Sequence, residues 1–237
     1  LERSLTELLI NPQISRTSLE LIMRETVRRN HINDGKIYIQ ISRGVAPRDH
    51  QFPKAAKSSL IVTASPGTWP TKKDAKKGYS IITGPDLRWQ RCDIKSVSLL
   101  PNLLAKQTAV EFQATELWMM DDQYRIIEGT ASNAWIVTSD NNIVTRPADE
   151  GILAGITRNT IIKLIKREGY KLSLRPFTVN EAKSAKEAFF TSSTATVKPV
   201  INIDNHSIGN GKPGEITCKL IDLYYNHMQQ ISNPDDP

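Results

Sequence analysis

Arg43-Gly44-Val45-Ala46-Pro47-Arg48-Asp49-His50-Gln51-Phe52-Pro53 is the stretch on which the reading of this chain turns. Pro47 and Pro53 flank its second half, and each restricts the backbone around it to extended or turn conformations. In an extended segment, residues two apart point to one side, which would bring Arg48 and His50 together. A guanidinium is a planar fork that grips a carboxylate through two parallel hydrogen bonds, and a neighbouring imidazole adds a third donor. Taken alone, the pair reads equally well as surface residues of a Pro-flanked loop.

Upstream, Ile37, Ile39 and Ile41 alternate with Tyr38, Gln40 and Ser42, the period of a half-buried strand. Before it, Leu5, Leu8 and Leu9 form one apolar helical face. Thr17-Ser18 then caps a second helix carrying Leu19, Ile22, Met23 and Val27, closed by the turn Asn33-Asp34-Gly35. Downstream, Ser59 to Thr63 suggests a further strand, and the polar, Pro-, Gly- and Lys-rich stretch from Ser65-Pro66-Gly67 to Gly78 is the best linker candidate. We therefore expect a small domain over 1–66, a linker over 67–78 and a larger domain over 79–237.

In that larger domain, Leu99 to Gln113 reads as a helix with Leu100, Leu103 and Leu104 toward a core. Leu117 to Met120 and Tyr124 to Ile127 flank Asp121-Asp122-Gln123 as a hairpin, and Trp135 to Val137 pairs with Ile143 to Thr145. A helix follows Gly155, Val197 to Ile203 is strand-like, and Pro213-Gly214 opens a last helix. Strands mixed with helices in this way make the fold class α/β (α+β).

Composition narrows the function. The balance of 31 basic against 25 acidic residues gives +6, but the densest cluster, Lys72-Lys73-Asp74-Ala75-Lys76-Lys77, lacks interleaved aromatics, so no nucleic-acid partner is expected. No run approaches the ~18 apolar residues of a membrane span, and the start Leu1-Glu2-Arg3-Ser4 lacks the order of a secretory signal, which leaves a cytoplasmic location as the default. Cys92 and Cys218 have neither CxxC spacing nor a nearby His, and His31, His206 and His227 lack companion ligands, so no metal is expected.

Four further stretches carry chemistry. Arg91-Cys92-Asp93-Ile94-Lys95-Ser96 offers an amine, and its Arg91 can pair with Asp86 or Asp93. Glu128-Gly129-Thr130-Ala131-Ser132-Asn133 offers a carboxylate beside small polar groups. Gly155-Ile156-Thr157-Arg158 opens a helix whose first N–H groups are unpaired donors suited to an anion. Ser192-Ser193-Thr194-Ala195-Thr196 is a second small polar loop. The first three have plain alternatives, a surface lysine, a solvated strand-end acid and an N-capping threonine at 157, and Leu153, two residues before Gly155, reads as a core leucine.

With the Arg43–Pro53 signature, these stretches stand in an order that resembles the D-amino acid aminotransferases. Those are fold-type IV pyridoxal phosphate enzymes, a group that includes branched-chain aminotransferases and aminodeoxychorismate lyase. The resemblance implies a two-domain fold with an incomplete N-terminal small domain and a mixed-strand large domain, the family's chain beginning a few dozen residues upstream of Leu1. That upstream part holds, in the family, an Arg for the cofactor phosphate and a Tyr of the substrate pocket.

The same resemblance implies roles for individual residues. The cofactor is pyridoxal 5'-phosphate, with Lys95 as the partly desolvated amine that joins its aldehyde and shuttles the proton. Glu128 stands beside the ring nitrogen, with Thr130, Ser132 and Asn133 as nearby donors, and Leu153 packs against the ring. Gly155, Ile156, Thr157, Thr194 and Ala195 hold the phosphate. Arg48 and His50 bind the substrate carboxylate across a homodimer interface. The implied reaction moves the amino group of D-alanine to 2-oxoglutarate, giving pyruvate and D-glutamate. Branched-chain transamination, lyase chemistry or an inactive shortened remnant are the competing readings.

Overall fold

Ile37, Ile39 and Ile41 lie in β1 (Gly35–Ser42), which pairs antiparallel with β2 (Ser59–Pro66) from Gly35 opposite Pro66 to Ser42 opposite Ser59. The computed structural model describes residues 1–232, and the chain forms two units, Leu1–Trp69 and Pro70–Pro237. The last residues of the expected large domain, 233–237, lie outside the described ones.

The first unit adds α1 (Glu2–Glu7) and α2 (Arg16–Arg29) to that ribbon. The cap of α2 is Ser15, whose hydroxyl accepts from the Ser18 backbone N–H at 3.1 Å, so the expected Thr17-Ser18 cap is displaced upstream. Ser15 has the extended backbone that an N-cap needs, while Thr17 and Ser18 are already helical. Between β1 and β2 the chain is an irregular loop. Gly44 turns it at φ +107°, and a Cβ there would lie 1.9 Å from the Lys57 carbonyl oxygen, so only glycine fits. Arg43 anchors the loop by donating to the carbonyls of Leu8 (2.5 Å) and Leu9 (2.9 Å), with its guanidinium 3.6 Å from the Phe52 ring centre.

The second unit is built on a mixed sheet. Its strands are β3 (Tyr79–Pro85), β4 (Glu116–Met120), β5 (Ile126–Gly129), β6 (Asn133–Val137), β7 (Ile143–Thr145), β8 (Leu172–Leu174), β9 (Glu187–Ser192), β10 (Thr196–Ile203) and β11 (His206–Ser207). They run in the order β5-β4-β3-β10-β9-β6-β7-β8, with β11 beside β10. Pairs β3–β4, β3–β10 and β7–β8 are parallel and the others antiparallel. The sheet curls, because beyond β8 the chain reaches back to β5: Ile126 N–H donates to Phe177 O at 2.8 Å and Arg125 bridges Thr178.

Period-2 alternation sorts the side chains onto two faces. Ala134, Ile136 and Phe190 join Trp118 and Phe177 in one core, where the Trp118 and Phe177 rings meet edge to face at 6.2 Å. Trp135, Val137 and Phe189 point the other way, with Trp135 stacked on Phe189 at 5.3 Å. That outer face is covered by Ile161, Leu164 and Ile165 of α5 (Ile156–Arg167) and by Leu220 and Ile221 of α7 (Glu215–Ser232). Each such buried side chain contributes about 1.5–3 kcal/mol. In chain order α3 is Lys72–Ala75, with Ala75 in the same core, and α6 is Val179–Lys183, closed by a Thr178/Glu181 capping box.

α4 (Leu100–Glu111) corrects an expectation. Its core-facing residues are Ala105 and Ala109 against Leu117 and Met119, while Leu100, Leu103 and Leu104 are 66%, 62% and 59% exposed. Both faces of this helix are apolar, so periodicity alone could not say which one the sheet covers, and the small residues allow the closer approach.

The start of α7 is closed by a carboxylate from a strand. Buried Glu187 accepts from the N–H groups of Ile216 (3.0 Å) and Thr217 (2.7 Å) and from the Thr217 hydroxyl (2.7 Å). Glu187→Ala leaves three buried donors unsatisfied and should cost about 3 kcal/mol or more. Urea unfolding would show this as a lowered midpoint at unchanged slope, whereas an unmoved midpoint would reject it.

Candidate active site

β5 delivers Glu128 to its C-terminal end, 5% exposed. Arg88 Nη1 donates to its Oε1 at 2.5 Å, Asn133 Nδ2 to its Oε2 at 3.0 Å, and the Leu153 N–H points at the same carboxylate at 3.3 Å. Burial pushes the Glu128 carboxyl up to about 7, against the opposing pull of the Arg88 charge and hydrogen bonds. Arg88 is itself gripped by Asp86 in a fork of 2.9 and 2.8 Å and donates to the Gly151 carbonyl at 3.1 Å. Burial opposes its charge, but the two acids outweigh that and hold its pKa above the ordinary value.

Sequence reading misses both Arg88 and Asp86 as site residues. Of the two acids open to Arg91, the structure pairs it with Asp93, at 3.0 and 3.1 Å, and gives Asp86 to Arg88. The expected donors around Glu128 also divide. Thr130 and Ser132 give their hydroxyls to buried Glu116, at 2.5 and 2.9 Å, so they order the turn after β5. Only Asn133 among the three bonds Glu128, and its amide also donates to the Leu153 carbonyl at 3.0 Å. A Cβ on Gly155 would come within 2.3 Å of Asn133 Oδ1, which explains the glycine ahead of α5.

Gly155 is the N-cap of α5 and supplies no side-chain acceptor, so the first N–H groups of the helix have no side-chain cap. Thr157 is 2% exposed, its hydroxyl 3.4 Å from the Tyr224 hydroxyl, while Ile156 is 78% exposed. Arg158 is buried, donates to the Arg146 carbonyl at 2.7 Å, and leaves its Nε unpartnered; burial lowers its pKa. Leu153 is half-buried.

The β9–β10 turn carries Thr194, exposed, and Ala195, half-buried, whose N–H donates to Ser192 Oγ at 3.0 Å. Because Asn133 pairs with Thr191, this turn and the start of β6 share one end of the sheet. The Lys95 segment joins the same region, since Asp93 N–H donates to the Glu150 carbonyl at 3.2 Å beside the Arg88–Gly151 bond. Asp93 and Ile94 are buried and Lys95 is exposed, unlike the partial desolvation expected for its amine.

Arg48 and His50 lie in the first unit, both exposed. Their stretch bends at each of them instead of running extended, because Asp49 Oδ1 accepts from the His50 N–H at 2.6 Å and the Gln51 N–H at 3.5 Å. The same-side argument from strand alternation therefore does not apply. Among the described residues no group of His, Cys, Asp and Glu is placed to hold a metal, and no helix is long and apolar enough to cross a membrane.

Similarity to known proteins places the chain in a family. Residues 1–203 match the model of the amino-transferase class IV family. The chain is 39% identical over 217 residues to a D-alanine aminotransferase of Bacillus licheniformis, covering 92% of this chain and 76% of that one. It is 35% identical over 231 residues to the D-alanine aminotransferase of Staphylococcus haemolyticus, covering 98% and 81%. Among solved structures, the branched-chain aminotransferase of the thermophilic archaeon Thermoproteus uzoniensis with norvaline superposes with a TM-score of 0.82 at 26% identity, covering 95% of this chain and 75% of that one.

Proposed function

Since this chain belongs to the class IV aminotransferases, we propose that it transfers amino groups between D-amino acids and 2-oxo acids with pyridoxal 5'-phosphate as cofactor. The observation that carries the reading is the meeting, at one end of one sheet, of the buried Glu128 carboxylate, the α5 start without a side-chain cap and the Lys95 segment. The residues fit the cofactor. Glu128 is poised for a protonated ring nitrogen, the N–H groups of Ile156 and Thr157 with the Thr194–Ala195 turn for a phosphate, and Leu153 for the ring face.

When bound, pyridoxal phosphate supplies an aldehyde that takes up an amino group and a ring that draws off the electrons left when the α proton departs. Lys95 would take up that α proton on its amine and give it back at another carbon. Glu128 holds a proton at the ring nitrogen. Gly155 keeps the α5 start close to Asn133, so that the carboxylate and the phosphate-binding end stay in register. Arg48 and His50 bind the α-carboxylate, and a homodimer in the cytoplasm, with these two supplied by the partner subunit, belongs to the same reading.

Incubation with D-alanine and 2-oxoglutarate should yield pyruvate and D-glutamate. Greater turnover with L-leucine would move the assignment to branched-chain substrates. No turnover with either donor would reject it.

A further inference from the structure

We propose that Arg88, gripped by Asp86, is the positioning residue that draws Glu128 toward its charged form against the enclosure around it. This rests on the reading just given, in which a charged Glu128 serves a protonated ring nitrogen. Glu128 and Arg88 are both almost entirely enclosed, with side chains 7% and 6% exposed, and their contact is a single 2.5 Å bond. Arg88 directs its other donors to Asp86 and the Gly151 carbonyl, which fixes where the cation stands.

Few other charges face Glu128 among the described residues. Asp86 raises its proton affinity and Arg158 lies in its field, but the Arg158 hydrogen bonds go to Asn159 and the Arg146 carbonyl. The Cys92 thiol nearby is pushed up to about 11, chiefly by burial, and stays neutral. Asn133 and the Leu153 N–H contribute only dipoles. Arg88 is therefore the cation in contact with the carboxylate, and Asp86 competes for it. A carboxylate enclosed to this degree without a cation takes up a proton, and a neutral acid no longer holds a positive ring nitrogen opposite it.

A purely structural role for Arg88, stapling the 86–88 loop to the 151–153 loop, is separated from this one by the sign of two effects. Infrared difference spectra of the cofactor-free protein, with Glu128→Gln as reference, follow the protonated-carboxyl stretch of Glu128 against pH. In Arg88→Met the stretch should persist to higher pH than in wild type, by a pH unit or more, which is about a tenfold change in the ionised ratio. In Asp86→Asn, where the competing acid is gone, it should vanish at lower pH. Loosening of the loops does not predict opposite shifts.

Coincident titration of wild type and Arg88→Met, or an unmoved or upward midpoint in Asp86→Asn, overturns the proposal. If Arg88→Met fails to fold, the Asp86→Asn shift decides alone. A wild-type chain that takes up no pyridoxal phosphate would sink the assigned function and leave this titration to be judged separately.

Discussion

Lys95→Ala is expected to lower transamination by at least about 10⁴-fold, the upper end of what one positioned acid–base group contributes, and to remove the visible absorbance of the bound cofactor. The two losses share a cause, because one amine is assigned both the link to the cofactor and the proton transfer. The side chain is exposed, while the flanking Ile94 and Asp93 are buried and the backbone is tied to Glu150 at 3.2 Å. Truncation should therefore leave stability within about 0.5 kcal/mol of wild type. Circular dichroism and thermal unfolding check that the fold survives, and single-turnover absorbance checks the chemistry. An unchanged visible band would refute the assignment outright.

Glu128→Gln should reduce turnover by about 10²- to 10³-fold, the scale on which a fixed electrostatic partner of a developing charge is felt. The amide keeps the size of the group, so cofactor binding should fall much less than turnover. A second signature lies in stability. With its folded-state value raised from 4.5 to about 7 by burial, Glu128 binds its proton more tightly folded than unfolded. Its contribution is fully present below the unfolded value and is lost as pH rises through the folded one. Wild type should then lose more melting temperature than Glu128→Gln between about pH 5 and pH 8. Parallel curves for the two proteins would show that the carboxyl is not raised.

Local signals were the readable ones. The β1 strand, the β4–β5 hairpin and the β6–β7 pairing need only a period and a turn, and the structure has all three. What escaped reading depends on contacts distant in sequence. Arg88 sits in a loop with no period, and nothing near it announces a bond to an acid 40 residues on. Glu116 and Glu187 look like ordinary strand acids until Thr130 and Ser132 are folded onto the first and the start of α7 onto the second. The leucines of α4 misled because apolar character marks a face without naming its neighbour. In the 43–53 loop, Asp49 bends a segment expected to run extended.

The Arg88 guanidinium also bears on how this protein acquires its site. It fastens its own loop to Glu128 and to Gly151, which are 40 and 63 residues away. Closing spans of that length costs chain entropy before any bond offsets it. β5 can pair with β4 through a short turn, but the Arg88 bonds to Glu128 and Gly151 form only once those long spans close. During synthesis or refolding the carboxylate should acquire its surroundings in one late, concerted step, so that a partly folded molecule offers the cofactor no half-formed cradle.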